Sequence, residues 1–227
     1  MRALFLFSAA VALIASGNPD LQNARDRQDR AALDRIVAEY RAAADKQPND
    51  GNALYRLALA QSYAAEVAVE EKDKAKGREL AEAGVKTAEK AVAVNGTSGE
   101  YHRILGTLCG QMISSSGLAG MRYGKCALNE VNRAIELDPK SSEAYVSHGV
   151  GNYYLPAAFG GGMELAIKDF EKALQLNPKS ADAWLWLGLA QRKLNRNAEA
   201  RKAFAKSMEL NPNRVWAKQQ LDKTPAQ

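Results

Sequence analysis

The sequence predicts an all-α protein built as an α-solenoid of about four helical hairpins, with an extra N-terminal helix and a C-terminal capping helix. Three observations predict it. Asn95-Gly96, Asp138-Pro139, Asn177-Pro178 and Asn211-Pro212 each close an alanine-rich helical stretch, and Lys46-Gln47-Pro48 closes another upstream. The apolar share of 46% rests largely on alanine and leucine, with only 7% aromatic, which suits closely packed helices. β-branched residues are sparse, and no alternating run marks a strand. A recurring helix stop is the mark of one supersecondary unit used several times. Such arrays hold partners more often than they make or break bonds.

Residues 1–17 read as a secretory signal peptide. Arg2 precedes an apolar run over residues 3–15, and the small residues Ala15 and Gly17 suggest cleavage after Gly17. The run is short for a bilayer-spanning helix, which needs about 20 residues. No cysteine follows it, so no lipid anchor is expected. The mature protein is then expected to be periplasmic or secreted, with no stable membrane anchor. The competing reading is an apolar helix packed on the array of a cytoplasmic adaptor.

Residues 18–50 predict one helix, from about 20 or 27 to 45, packing as a half repeat through Ile36, Tyr40 and Ala43. The unit 51–96 follows, with Leu54, Leu57 and Ala58 on its first helix and Gly84, Ala88 and Ala91 on its second. Its charged stretch 66–76 reads as helix and turn, and Glu70-Glu71, Glu79 and Glu82 as solvated charge. In the unit 97–139, His102, Leu105 and Gly106 pair with Ala127, Val131 and Ala134, around a flexible insert at 114–124. In the unit 140–178, Tyr145, His148 and Gly149 pair with Ala166, Phe170 and Ala173, around an insert at 155–162 that holds Gly160-Gly161-Gly162, a bend requiring positive φ. The unit 179–212 is cleanest: Trp184, Leu187 and Gly188 pair with Ala200, Phe204 and Ser207. Small residues let two helices cross closely, large ones fill the space beside the crossing, and Pro212 cannot continue a helix. A polar capping helix over 213–224 closes the array, because a bare terminal repeat would expose its core.

Trp184, Leu187, Gly188, Ala200, Phe204 and Pro212 resemble the tetratricopeptide repeat (TPR) at its characteristic places, and the 34 residues from Pro178 to Pro212 match its length. The chain departs from the family at Gln191 and Ser207. The insert around Pro156 and Phe159 is similar to one in exported bacterial TPR proteins and, more weakly, to the periplasmic TPR subunit of TRAP-type transporters. The resemblance implies a concave face lined by the first helices. Its candidate partner-binding residues are Tyr55, Tyr63, Arg103, Tyr153, Tyr154, Leu185, Trp186, Leu189 and Arg192. Tyr55 and Leu59 stand where some TPR proteins carry a Lys/Asn/Arg clamp for a terminal carboxylate, so that activity is not expected. The expected function is an exported scaffold or adaptor holding a protein or peptide segment. The alternatives are a solute-binding accessory of a transport system taking a small apolar ligand, a cytoplasmic adaptor, and a groove filled by the chain's own N-terminal helix or an insert.

Residues 179–227 carry ten basic and four acidic residues, against twenty and twenty-two over 18–178, so the last repeat is a basic cap on a near-neutral body. No arginine-rich tract or nucleic-acid module accompanies it, so no nucleic-acid partner is expected. Cys109 and Cys126 lie on the two helices of one hairpin and read either as a disulfide or as two small buried side chains. Two cysteines and two distant histidines offer no zinc spacing, so no metal or cofactor is expected. Residues 117–125 fail the phosphate-loop spacing, and Cys126 stands where Ser or Thr is needed. His102 and His148 occupy packing positions. No acid/base pair emerges, and catalysis is not expected.

Overall fold

The computed structural model describes residues 19–115 and 119–226. Residues 1–17, expected to be a signal peptide cleaved after Gly17, lie outside the described residues. The order is α1 (Pro19–Asp26), α2 (Arg30–Lys46), α3 (Gly51–Glu70), α4 (Lys74–Val94), α5 (Gly99–Ser115), α6 (Ala119–Leu137), α7 (Ser142–Tyr154), α8 (Met163–Leu176), α9 (Ala181–Lys193), α10 (Asn197–Leu210) and α11 (Val215–Asp222). The hairpins α3/α4, α5/α6, α7/α8 and α9/α10 stack in chain order, and no strand occurs among the described residues.

The same small-residue joint recurs in three hairpins. A Cβ on Gly106 would stand 2.6 Å from Val131, one on Gly149 2.5 Å from Phe170, and one on Gly188 2.6 Å from Phe204. In the first hairpin the fully buried Ala58 serves instead. The return helices bury Ala88, Ala91, Val131, Ala134, Ala166, Phe170, Ala173, Ala200 and Phe204 against these joints. Ser207, a departure from the repeat, is fully buried and donates its hydroxyl to the Ala181 carbonyl at 2.8 Å. Ser142 does the same to Ala173 at 3.1 Å.

The helix stops work through a repeated turn. Asn95, Asp138 and Asn177 each accept, on the side-chain oxygen, the backbone N–H two residues on, at 3.0–3.1 Å. A serine then caps the next helix: Ser141 accepts from Ala144 N–H and Ser180 from Ala183 N–H. Cys109 and Cys126 are bonded, with Cα atoms 6.0 Å apart, and tie α5 to α6.

Two expectations need correction. The single N-terminal helix is two, α1 and α2, broken where Gln28 adopts φ 55° and Asp29 caps α2 through Ala32 N–H. Consequently α2 packs through Leu33, Val37 and Ala44, with Ile36 and Tyr40 half-buried, while Ala43 faces solvent. The insert at 114–124 is largely helical, since α5 runs to Ser115 and α6 starts at Ala119; residues 116–118 lie outside the described residues. The insert at 155–162 bends as expected: a short 3-10 turn, Ala157–Phe159, is followed by Gly160 and Gly162 at φ 88° and 122°, where a side chain would be strained.

Candidate functional site

The array curls until its two ends touch, so the concave face becomes the wall of a central chamber of about 430 Å³. Every hairpin contributes to it: Leu59 and Tyr63 from α3, Ile104 and Thr107 from α5, Leu128 and Val131 from α6, Val146 and Tyr154 from α7, and Trp186 from α9. Arg25 of α1 and Trp216 of α11 complete the circle. One side is aliphatic. The other carries aromatic rings, with Trp186 edge-on to Tyr154, Tyr153 and Trp216 at centroid distances of 6.2, 5.7 and 5.6 Å. Tyr154 is 50% exposed, an unusual state for a large ring, and turns that surface to the chamber.

The ends meet through side chains. Arg25 is 4% exposed, donates to Asp26 of its own helix at 2.7 Å, and reaches Asp182 of α9 at 2.8 Å. Its guanidinium also lies 4.7 Å over the Tyr63 ring. Arg214, the residue before α11, is fully buried and bonds Glu66 at 2.7 Å and both carboxylate oxygens of Glu70. Asn211 donates to Asp26 at 2.7 Å, and Gln219 to Gln28 at 3.1 Å. Burial is the largest influence on Glu66 and pushes its carboxyl up. Arg214 and Arg25 pull it down and Glu70 and Asp182 push it up again, leaving it at about 7. Burial also works against the charge of Asp182, but Arg25 and Arg214 hold its carboxyl below the ordinary value.

Of the nine residues expected on the concave face, Tyr63, Arg103, Tyr154 and Trp186 line the chamber. The other five do not. Leu185 and Leu189, 1% and 4% exposed, pack with Phe204 and Ala217, because α11 covers the groove at the last repeat. Arg192 is held by α11, donating to the Gln220 carbonyl and side chain at 3.1 and 2.6 Å. Tyr55 stacks on Tyr101 and donates to Glu100 at 2.9 Å, outside the chamber. Tyr153 lies behind Tyr154 and Trp186. Arg103, although in the chamber, is paired with Glu100 at 2.8 Å.

Sequence reasoning missed Arg25, Glu66, Glu70, Asp182, Arg214 and Trp216. Glu70 was expected to be solvated; its side chain is 3% exposed and paired with Arg214, whereas Glu71 at 34% remains at the surface. A signal existed, since Leu59, Tyr63, Glu66 and Glu70 recur at helical spacing on one face. Another lay at position 214, where arginine replaces the capping serine of the earlier units. His102 and His148 are bonded to Glu130 and Asp169, at 2.5 and 2.9 Å. Among the described residues no group of three or more His, Cys, Asp or Glu could hold a metal ion, and no helix is long and apolar enough to cross a membrane.

The family model described as regulator of microtubule dynamics protein 1-3 matches residues 20–155, and a tetratricopeptide-repeat model matches residues 159–214. A thermophilic TPR protein of Thermus thermophilus has a similar fold, with TM-score 0.65 at 17% identity over 90% of this chain and 98% of that one. The HusA haemophore from Porphyromonas gingivalis has TM-score 0.54 at 20% identity, over 78% of this chain and 96% of that one. The chain matches none of the curated proteins.

Proposed function

The chain belongs to the regulator of microtubule dynamics protein 1-3 family and is a TPR solenoid, and from that premise we propose that it is an exported adaptor holding a short segment of a partner protein in its chamber. The observation that carries this reading is the half-exposed ring of Tyr154 beside Trp186, in the chamber to which all four hairpins contribute. Rings of this kind, apolar on the face and polar at the edge, are the usual anchors of a peptide contact. The chamber volume falls within the range of about 300–1,000 Å³ typical of binding pockets. Export draws support from the apolar run at residues 3–15 behind Arg2 and from the Cys109–Cys126 bond, which suits an oxidising compartment.

A second reading, a solute-binding accessory of a transport system, is favoured by one feature: the ends of the array touch, so the chamber is walled rather than an open groove. One experiment separates the two. Affinity capture with the mature chain is expected to retain a protein partner that Tyr154→Ala loses while keeping its helical circular dichroism. Native mass spectrometry showing a small molecule retained in the chamber, with no protein captured, would favour the solute reading. Partners unchanged by Tyr154→Ala would reject the chamber as the binding place.

A further inference from the structure

The seam that closes the ring is made of charge, not of packed backbone. The helices it joins approach each other little along their main chains, and the bridging is done by side chains of α1, α3, α9 and the turn before α11. Four carboxylates, Asp26, Glu66, Glu70 and Asp182, face two guanidinium groups, Arg25 and Arg214, so the cluster has more acid than base. The groups around Glu66 come from five elements: Tyr63 and Glu70 on α3, Arg25 and Asp26 on α1, Asp182 on α9, Arg214 before α11, and Tyr154 on α7. Arg103 of α5 lies beyond Tyr63, and Glu143 and Lys223 line the same chamber.

The seam is also a wall. A second, polar cleft of about 430 Å³ lies between α1 and the α8–α9 turn, lined by Pro19, Gln22, Asn177 and Lys179 among others. This cleft and the chamber share Arg25, Glu143, Ser180 and Asp182 in their linings. The Arg25–Asp182 pair therefore stands between an outer space and the inner one.

We propose that the seam is a proton-controlled clasp: with Glu66 neutral the ends of the array are held together, and loss of that proton parts them and joins the outer cleft to the chamber. Charge balance gives the reason. Neutral Glu66 leaves three carboxylates on two guanidinium groups; ionised Glu66 adds a fourth negative charge to that cluster, one turn from Glu70, whose side chain is 3% exposed. The sign follows from linkage. In the parted state Glu66 is solvated and returns towards the ordinary value of 4.5, whereas in the closed state it sits at about 7. Between those values the closed state binds a proton that the parted state lacks, so closure is favoured as pH falls below 7 and lost as pH rises through it. Each pH unit in that window changes the ratio of closed to parted forms by up to about tenfold, so the whole window is worth on the order of a hundredfold.

The inference rests on the chamber as the binding place only for its consequence, the admission of a partner; the clasp itself is read without one. Nitroxide labels at Gln22→Cys and Lys179→Cys, on exposed positions either side of the outer cleft, report the seam by electron–electron distance measurement on the full chain. A single short distance is expected at pH 5.5, with a longer population appearing at pH 8.5. Glu66→Gln, which keeps the size and the hydrogen bond but cannot ionise, is expected to hold the short distance at both pH values. One distance distribution at both pH values in the otherwise unaltered chain would overturn the proposal, and so would a pH response that survives Glu66→Gln. Either result leaves the capture experiment above intact, so the two readings fail separately.

Discussion

Single atoms decide the joints of this array. At Gly149 a Cβ would come within 2.5 Å of the Phe170 ring, whereas at Gly151, one half-turn on, it would meet nothing within 4 Å. The two glycines of one helix should therefore respond oppositely. Gly149→Leu is expected to cost about 1–3 kcal/mol through overpacking, read by urea or thermal unfolding. Gly151→Ala should be neutral or stabilise by up to about 1 kcal/mol, because alanine is the better helix former. Position 214 shows the same economy of atoms. Where Ser141 and Ser180 cap a helix, Arg214 places no side-chain bond on α11 and instead buries its guanidinium between Glu66 and Glu70. Its neighbour Asn211 likewise turns to Asp26. Arg214→Ala leaves those carboxylates without their cation, and a loss of about 3–5 kcal/mol is expected. A loss under about 1 kcal/mol in equilibrium unfolding would show that the pair contributes little.

At the scale of elements, stability is a chain of nearest-neighbour contacts, each helix packing chiefly on those before and after it. The caps make each boundary sharp. Ser180→Ala removes the acceptor for Ala183 N–H and should lower stability by about 1 kcal/mol, with fraying confined to the first turn of α9 in hydrogen exchange. The disulfide acts on one hairpin only. It closes a loop of sequence separation 17 between α5 and α6. Replacing both cysteines by serine is expected to cost about 3 kcal/mol in the chain-entropy account. Hydrogen exchange should then speed up in α5 and α6 first; uniform acceleration over all hairpins would argue against that local role. The capping helix does more than shield apolar surface. Arg201 donates to the carbonyls of Leu221 and Thr224, and Arg192 to Gln220, so part of the basic excess of the last repeat is spent on holding α11.

At the scale of the molecule, closure of the ring couples stability to pH. Glu66, pushed up to about 7, adds stability that is present in acid and lost as pH rises through 7. The unfolding midpoint should be higher at pH 6 than at pH 8.5, and the difference should shrink in Glu66→Gln. An identical difference in the variant would place the dependence elsewhere.

The repeats were legible in the sequence because they are local. Helix period, a small residue at each crossing and an Asn or Asp before each stop lie within one unit, so Gly106, Gly149 and Gly188 could be matched by spacing alone. The concave face was only partly legible. Spacing says which side of a helix turns inward, and Tyr63, Tyr154 and Trp186 do; it does not say that α11 covers Leu185 and Leu189. The clasp was not legible at all. Arg25 and Asp182 are 157 residues apart, and Arg214 and Glu66 148. Their meeting depends on the small rotation each hairpin adds to the last, accumulated over the array. Local sequence determines each joint; only the sum of the joints decides whether the two ends arrive at the same place.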